Sequence, residues 1–124
     1  MSVPSFTGKD ILGDFLGGLA SAYIFKEGIK DDIMDKAKVA AVFVISHFIG
    51  SKVLGYFWDK SWSVIMTFGV DGLSTGVIFY YFNGWLVGIY SVQNTVLYVL
   101  GSIALGDVAR NFVGGTSTYI TMSS

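Results

Sequence analysis

Three side chains could do chemistry in this sequence, and all three stand in apolar surroundings. Asp71 interrupts FGVDGLSTGVIFYYFNGW, in a run with no other charge from Ser61 to Gly106. His47 is the chain's one histidine, with an ordinary pKa close to neutrality. Asp14 falls within the first apolar stretch. Two carboxylates and an imidazole can share protons, or they can hydrogen-bond and do no more. Either use requires them at one depth.

Other chemistries fit less well. Gly72-Leu-Ser-Thr-Gly76 matches G-x-S-x-G, and His47 with Asp71 formally completes a Ser, His and Asp set. That motif works only on a strand-to-helix elbow that lifts the serine into the open. Here it lies inside an unbroken apolar run, with Asp71 three residues from Ser74 on the same face, so no enzyme is expected. One histidine and scattered carboxylates lack the paired ligand spacing of a metal site. With no cysteine there is neither a thiol nucleophile nor a disulfide. No glycine-rich phosphate loop is present, and no cofactor is expected. A net charge of −1 opposes nucleic-acid binding, which needs a basic patch.

The elements that must position these residues follow from the solvent. Charged residues make up 14% of the chain, against roughly 25% in soluble domains. Mean hydropathy is +0.61. At 124 residues a soluble domain would expose too much surface for so few polar groups to cover. The chain is therefore read as one all-α, polytopic transmembrane bundle with three or four spans and the lipid bilayer as its solvent. The start, MSVPSFTGKD, is polar and carries an acid rather than a basic signal-type end, so the first apolar run is expected to be retained.

The expected spans are 9–25, 39–58, 61–82 and 85–105. Between the first two lies a charged connector, 26–38, and 106–124 is a polar tail. The last three spans are about 20 residues each, enough to cross about 30 Å of hydrocarbon. The first is either a span or an interfacial helix. Trp58, Trp62 and Trp85 gather at segment ends, where amphipathic rings prefer the interface. Asn83-Gly84 is a strong hairpin signal, but the flanking runs lack the polar–apolar alternation of half-buried strands. It is read as a turn between helices. Lys52 falls about 140° round the helix from His47 and is expected to snorkel towards the headgroups.

Helical spacing sorts the polar residues into stripes. Asp10, Asp14, Gly17 and Ser21 share one face of the first segment, and His47 and Ser51 one face of the second. Thr67, Asp71, Ser74 and Thr75 do so in the third; Asn94, Thr95, Tyr98 and Ser102 in the fourth. A hairpin turning near Asp59 puts His47 and Asp71 level with each other. A turn at Asn83-Gly84 brings Gln93 and Asn94 to the same height. The expected mid-membrane layer is Asp14, His47, Asp71, Gln93 and Asn94, serving as packing glue or as a proton path. A lone charge at that depth costs about 2.5–3.5 kcal/mol on insertion scales, which partners at the same level would offset. Close helix packing is expected at the small-xxx-small pairs Gly13/Gly17, Gly72/Gly76 and Gly84/Gly88.

In its Gly- and aromatic-rich composition, and in the polar ends MSVPSFTGKD and GGTSTYITMSS, the chain resembles small polytopic proteins of the inner membrane beneath the capsids of large icosahedral DNA viruses. That resemblance implies a structural subunit packed among other membrane or capsid-type subunits, as a homo- or hetero-oligomer. It assigns no residue a role. The alternative is an oligomeric proton or ion conductor built around His47 and Asp71.

Overall fold

The computed structural model describes residues 4–25, 32–86, 92–116 and 118–119. They form four helices: α1 (Gly8–Ile24), α2 (Ile33–Phe57), α3 (Val64–Leu86) and α4 (Val92–Val113). Among the described residues there is no strand. Helices α2, α3 and α4 each contain a stretch long and apolar enough to cross a membrane. The chain is thus an all-α, multi-pass, membrane-embedded bundle.

The helix ends explain where the expected boundaries shift. Thr7 and Asp10 form a reciprocal capping box that starts α1. The charged connector is shorter than expected, because Asp32 caps α2 by accepting the Met34 N–H at 3.0 Å. Its acidic neighbour Asp35 lies in the first turn, where the helix dipole favours a negative charge. Residues 33–38, read as connector, are therefore helix.

At the other end of the bundle, α3 runs straight through Asn83-Gly84 to Leu86 instead of turning there. A glycine inside a helix costs only about 1 kcal/mol, and the apolar face that precedes it favours continuing. The fourth helix consequently starts at Val92 rather than 85, and it continues to Val113 where a polar tail was expected from 106. Its stop is Gly114, at φ +83. The Gly115 N–H bonds the Arg110 carbonyl at 2.8 Å and the Gly114 N–H the Asn111 carbonyl at 3.4 Å. This double closure needs a residue that tolerates the left-handed region, which glycine does.

The helices form a ring in which α1 packs on α4 and α2, α2 on α3, and α3, most loosely, on α4. Glycines set the two tightest crossings. A Cβ on Gly17 would lie 2.2 Å from the Gly106 nitrogen, and one on Gly13 2.7 Å from the Arg110 Cα. On the facing pair, a Cβ on Gly50 would sit 2.9 Å from the Thr75 nitrogen. Gly72 meets the Leu100 side chain, while nothing lies near Gly76. Gly88 lies outside the described residues, and so do the surroundings of Gly84.

This contrast yields a prediction. Gly17→Ala must push two backbones apart and should lower stability by about 1–3 kcal/mol. Gly76→Ala meets open space and should be neutral, or up to about 1 kcal/mol stabilising through helix propensity. Thermal unfolding of both variants in one detergent checks the pair; equal losses would contradict the crossing.

Inside the ring the bundle has two halves. Away from the chain ends, Ala22, Val39, Phe43, Phe79, Tyr98, Val99 and Ile103 form an apolar core. Towards the end where both chain tails lie, the buried side chains include the ionisable Asp10, Asp14, His47, Asp71, Asp107 and Arg110. The outward faces carry Ile65, Leu73, Val77, Tyr81 and Phe112 instead. Polar groups inside and apolar groups outside is the arrangement a lipid solvent selects.

Candidate functional site: a charged relay through four helices

The site takes one ionisable side chain from each helix. Asp14 comes from the middle of α1, His47 from α2, Asp71 from α3 and Arg110 from the last turn of α4. All four side chains are at most 3% exposed. His47 stands at the centre. Its Nδ1 is 2.6 Å from Asp14 Oδ2, and its Nε2 is 3.1 Å from Asp71 Oδ2. Arg110 Nε donates to the other Asp14 oxygen at 3.0 Å. The Tyr119 hydroxyl, from the C-terminal tail, donates to Asp71 Oδ2 at 2.6 Å. The line Arg110–Asp14–His47–Asp71–Tyr119 is therefore continuous.

Hydrogen-bond chemistry constrains what this line holds. A neutral imidazole has one N–H and one lone pair, whereas both ring nitrogens here face carboxylate oxygens. Two protons must occupy the two links. Either the ring is an imidazolium between two carboxylates, or one carboxyl is protonated and donates to the ring. The proton count is the same in both, and so is the total: with the Arg110 guanidinium the cluster is neutral. Neutrality is what allows two carboxylates to remain in a low-dielectric interior.

Aromatic rings wall the cluster. Phe43 stacks on the His47 ring at 5.4 Å. Phe6, ahead of α1, meets the His47 ring edge-on and lies 4.8 Å under the Arg110 guanidinium. Such a stack offers a cation partial compensation through the ring quadrupole. That matters because Arg110 Nη1 and Nη2 are buried without hydrogen-bond partners among the described residues.

Two further carboxylates tie down the tails. Asp10 accepts from Ser5 Oγ at 2.7 Å, the Thr7 N–H at 3.1 Å and the Thr116 N–H at 2.6 Å. Asp107 accepts the Thr118 N–H at 2.6 Å and the Tyr119 N–H at 2.8 Å. Burial, and then the Asp71 and Asp107 carboxylates beside it, push the Tyr119 hydroxyl above its ordinary range. It stays a donor.

Of the expected layer, Asp14, His47 and Asp71 meet. Gln93 and Asn94 do not join them. They occupy the first turn of α4, at the opposite end, where Gln93 is exposed and Asn94 half-buried. The start of α4 at Val92 instead of 85 accounts for this, since seven residues are about 10 Å of helix. Their places are taken by Arg110 and Tyr119, assigned beforehand to the polar tail. A signal for Arg110 was present: the stripe through Tyr98 and Ser102 continues at the same spacing to Gly106 and Arg110. Tyr119 has no periodic signal, since no helix carries it.

The cluster spreads from near the centre of the bundle towards the tail end: Arg110 is about 5 Å and His47 about 15 Å from that end of their helices. Ser74 sits in the interior of α3, so G-x-S-x-G has no elbow here. Both His47 nitrogens are engaged by carboxylates. Among the described residues no group of three potential ligands is disposed to hold a metal ion. Lys52 is exposed, its Nζ 5.2 Å from the Phe48 ring centre. No family model, curated protein or solved structure matches this chain.

Proposed function

We propose that this protein is a small integral-membrane packing subunit, held rigid by an internal charge clamp and built to sit among other membrane subunits. One observation carries the reading. Asp14, His47, Asp71 and Arg110, one from each helix, bond to one another inside the bundle, while the outward faces offer apolar packing surface. The apolar span of α3 is the least buried of the three, with Ile65, Leu73, Val77 and Tyr81 turned outwards. A virion inner membrane, to which the composition points by resemblance, is an assembly of this kind.

A second reading, an oligomeric proton conductor, is favoured by the carboxylates at both nitrogens of His47. Asp71→Asn separates the two. The amide keeps the shape and can still accept from His47 or Tyr119. A packing subunit should then keep its assembly size in mild detergent, and neither protein should carry protons in liposomes. Wild-type flux abolished by Asp71→Asn would replace the packing role with conduction. A chain that runs as a lone 13.4 kDa monomer after gentle extraction from its own membrane would overturn the subunit reading.

A further inference from the structure

Glycines bring backbones together at two seams of the ring, but not at the third. Gly13 and Gly17 meet the α4 backbone, and Gly50 meets the backbone of Thr75 on α3. Between α3 and α4, the loosest seam, a Cβ on Gly72 would touch only the Leu100 side chain. One on Gly69 or Gly76 would meet no described atom within 4 Å. These three glycines hollow their seam rather than close it. With Leu73, Val96 and Leu100 they line an apolar groove of about 430 Å³.

The dimensions of the groove select what fits it. From Gly69 to Tyr80, its limits on α3, it runs about 17 Å along the helix. One leaflet of a bilayer has about 15 Å of hydrocarbon depth. Its volume spread over that length leaves a width of about 5 Å. A helix with its side chains is about 10–12 Å across, whereas carbon atoms in contact stand roughly 3.5–4.0 Å apart. A single unbranched hydrocarbon chain fits where a helix does not.

The placement of the groove agrees. At the end opposite the chain tails it begins between Tyr80 and Val92, close to where the apolar span of α3 ends and that of α4 starts. An amphipathic ring such as that of Tyr80 suits the membrane surface. Thr95, which lines the same end, buries a hydroxyl with no hydrogen-bond partner among the described residues. Leu73, Val77 and Val96 are exposed on the outer side, so the groove is open to lipid. No charged side chain lines it among the described residues, and a charged headgroup would find no counter-ion inside.

We propose that the α3/α4 groove is a lipid site, holding one acyl chain of a phospholipid from the leaflet opposite the chain tails. The acyl chain enters between Tyr80 and Val92 and runs inwards past Gly76 and Gly72 to Gly69. Its glycerol ester comes level with Thr95 and offers that hydroxyl the acceptor it lacks. The loosest seam of the ring is then closed by lipid instead of by side chains. This goes beyond the packing role and rests only on the bundle's place in a membrane.

Photo-crosslinking tests the site. The full chain is placed in phosphatidylcholine nanodiscs containing a small fraction of phosphatidylcholine with a diazirine midway along one acyl chain. After illumination the adducts are mapped by mass spectrometry. They should fall on 69–80 and 92–100 about tenfold more often than on Ile45 and Ile49. Those two are exposed apolar residues of α2, level with the groove because Gly50 faces Thr75. Gly69→Leu and, separately, Gly76→Leu each project a side chain where no described atom stands in the way. Each should cut the groove adducts about tenfold and leave those on α2 unchanged. Even labelling of all outward faces overturns the site, since the groove would then be ordinary lipid contact. Groove adducts that survive both leucines overturn it as well. So does a groove without adducts beside a labelled α2, which would give the seam to another subunit. Assembly size in mild detergent tests the packing role and is read separately.

Discussion

Arg110→Leu should cost the bundle about 3–5 kcal/mol, one of the two largest losses expected from a single substitution here. The guanidinium is the fixed positive charge of a neutral cluster, and its Nε bonds Asp14 at 3.0 Å. Without it, Asp14, His47 and Asp71 keep two protons in two links and a net charge of −1, in an interior with no water to solvate that charge. The double variant Asp14→Leu/Arg110→Leu removes a pair of opposite sign and leaves His47 with Asp71. It should recover most of the loss, since replacing a buried pair by apolar side chains is often close to neutral. Unfolding free energies of the wild type, both single variants and the double close the cycle. A double variant as unstable as the sum of the singles would show that the two groups do not depend on each other.

His47→Phe should be as damaging, again about 3–5 kcal/mol, for a different reason. The benzyl ring fits among Phe6 and Phe43, which already pack against the imidazole. It carries no proton, so the bonds from α2 to both α1 and α3 are lost together. Asp14 keeps Arg110, whereas Asp71 is left with the Tyr119 hydroxyl and a distant Thr75. Adding Asp71→Asn removes the stranded charge and should restore a large part of the stability. If His47→Phe alone leaves the melting temperature unchanged, the imidazole is not the centre of the clamp.

Much of this arrangement is legible from residue types and spacing. The apolar solvent, the all-helical class and the meeting of Asp14, His47 and Asp71 all follow from periodicity read on antiparallel helices. What spacing alone misplaces is the height of α4. Asn83-Gly84 carries a turn signature that the continuing helix overrides, and the error propagates by about two turns to Gln93 and Asn94. The stop signal was Gly114-Gly115, further along than hydrophobicity implied, because Asp107 and Arg110 are polar yet face inwards. In a lipid-facing helix a charge does not mark the end of the span; it marks the protein side.

The tail shows a different kind of limit. Tyr119 reaches Asp71 across 48 residues, through a glycine turn and two bonds to Asp107 that have no repeating pattern. Likewise ILGDF in α1 and ALGDV in α4 look like a chance echo in one dimension. In three, Gly17 crosses Gly106 on antiparallel helices and Asp14 bonds Arg110, one turn beyond the crossing. Both depend on which helices are neighbours, and local pattern does not contain that.

The central claim is that a single imidazole bridges carboxylates from two other helices inside a membrane-embedded bundle. Because His47 is the chain's one histidine, labelling histidine with nitrogen-15 and aspartate with carbon-13 isolates it in lipid bilayers by solid-state NMR. Both ring nitrogens should show short-range transfer to aspartate carboxyl carbons, one signal vanishing in Asp14→Asn and the other in Asp71→Asn. Ring nitrogens that couple to no aspartate, or that contact bulk water, would contradict the relay.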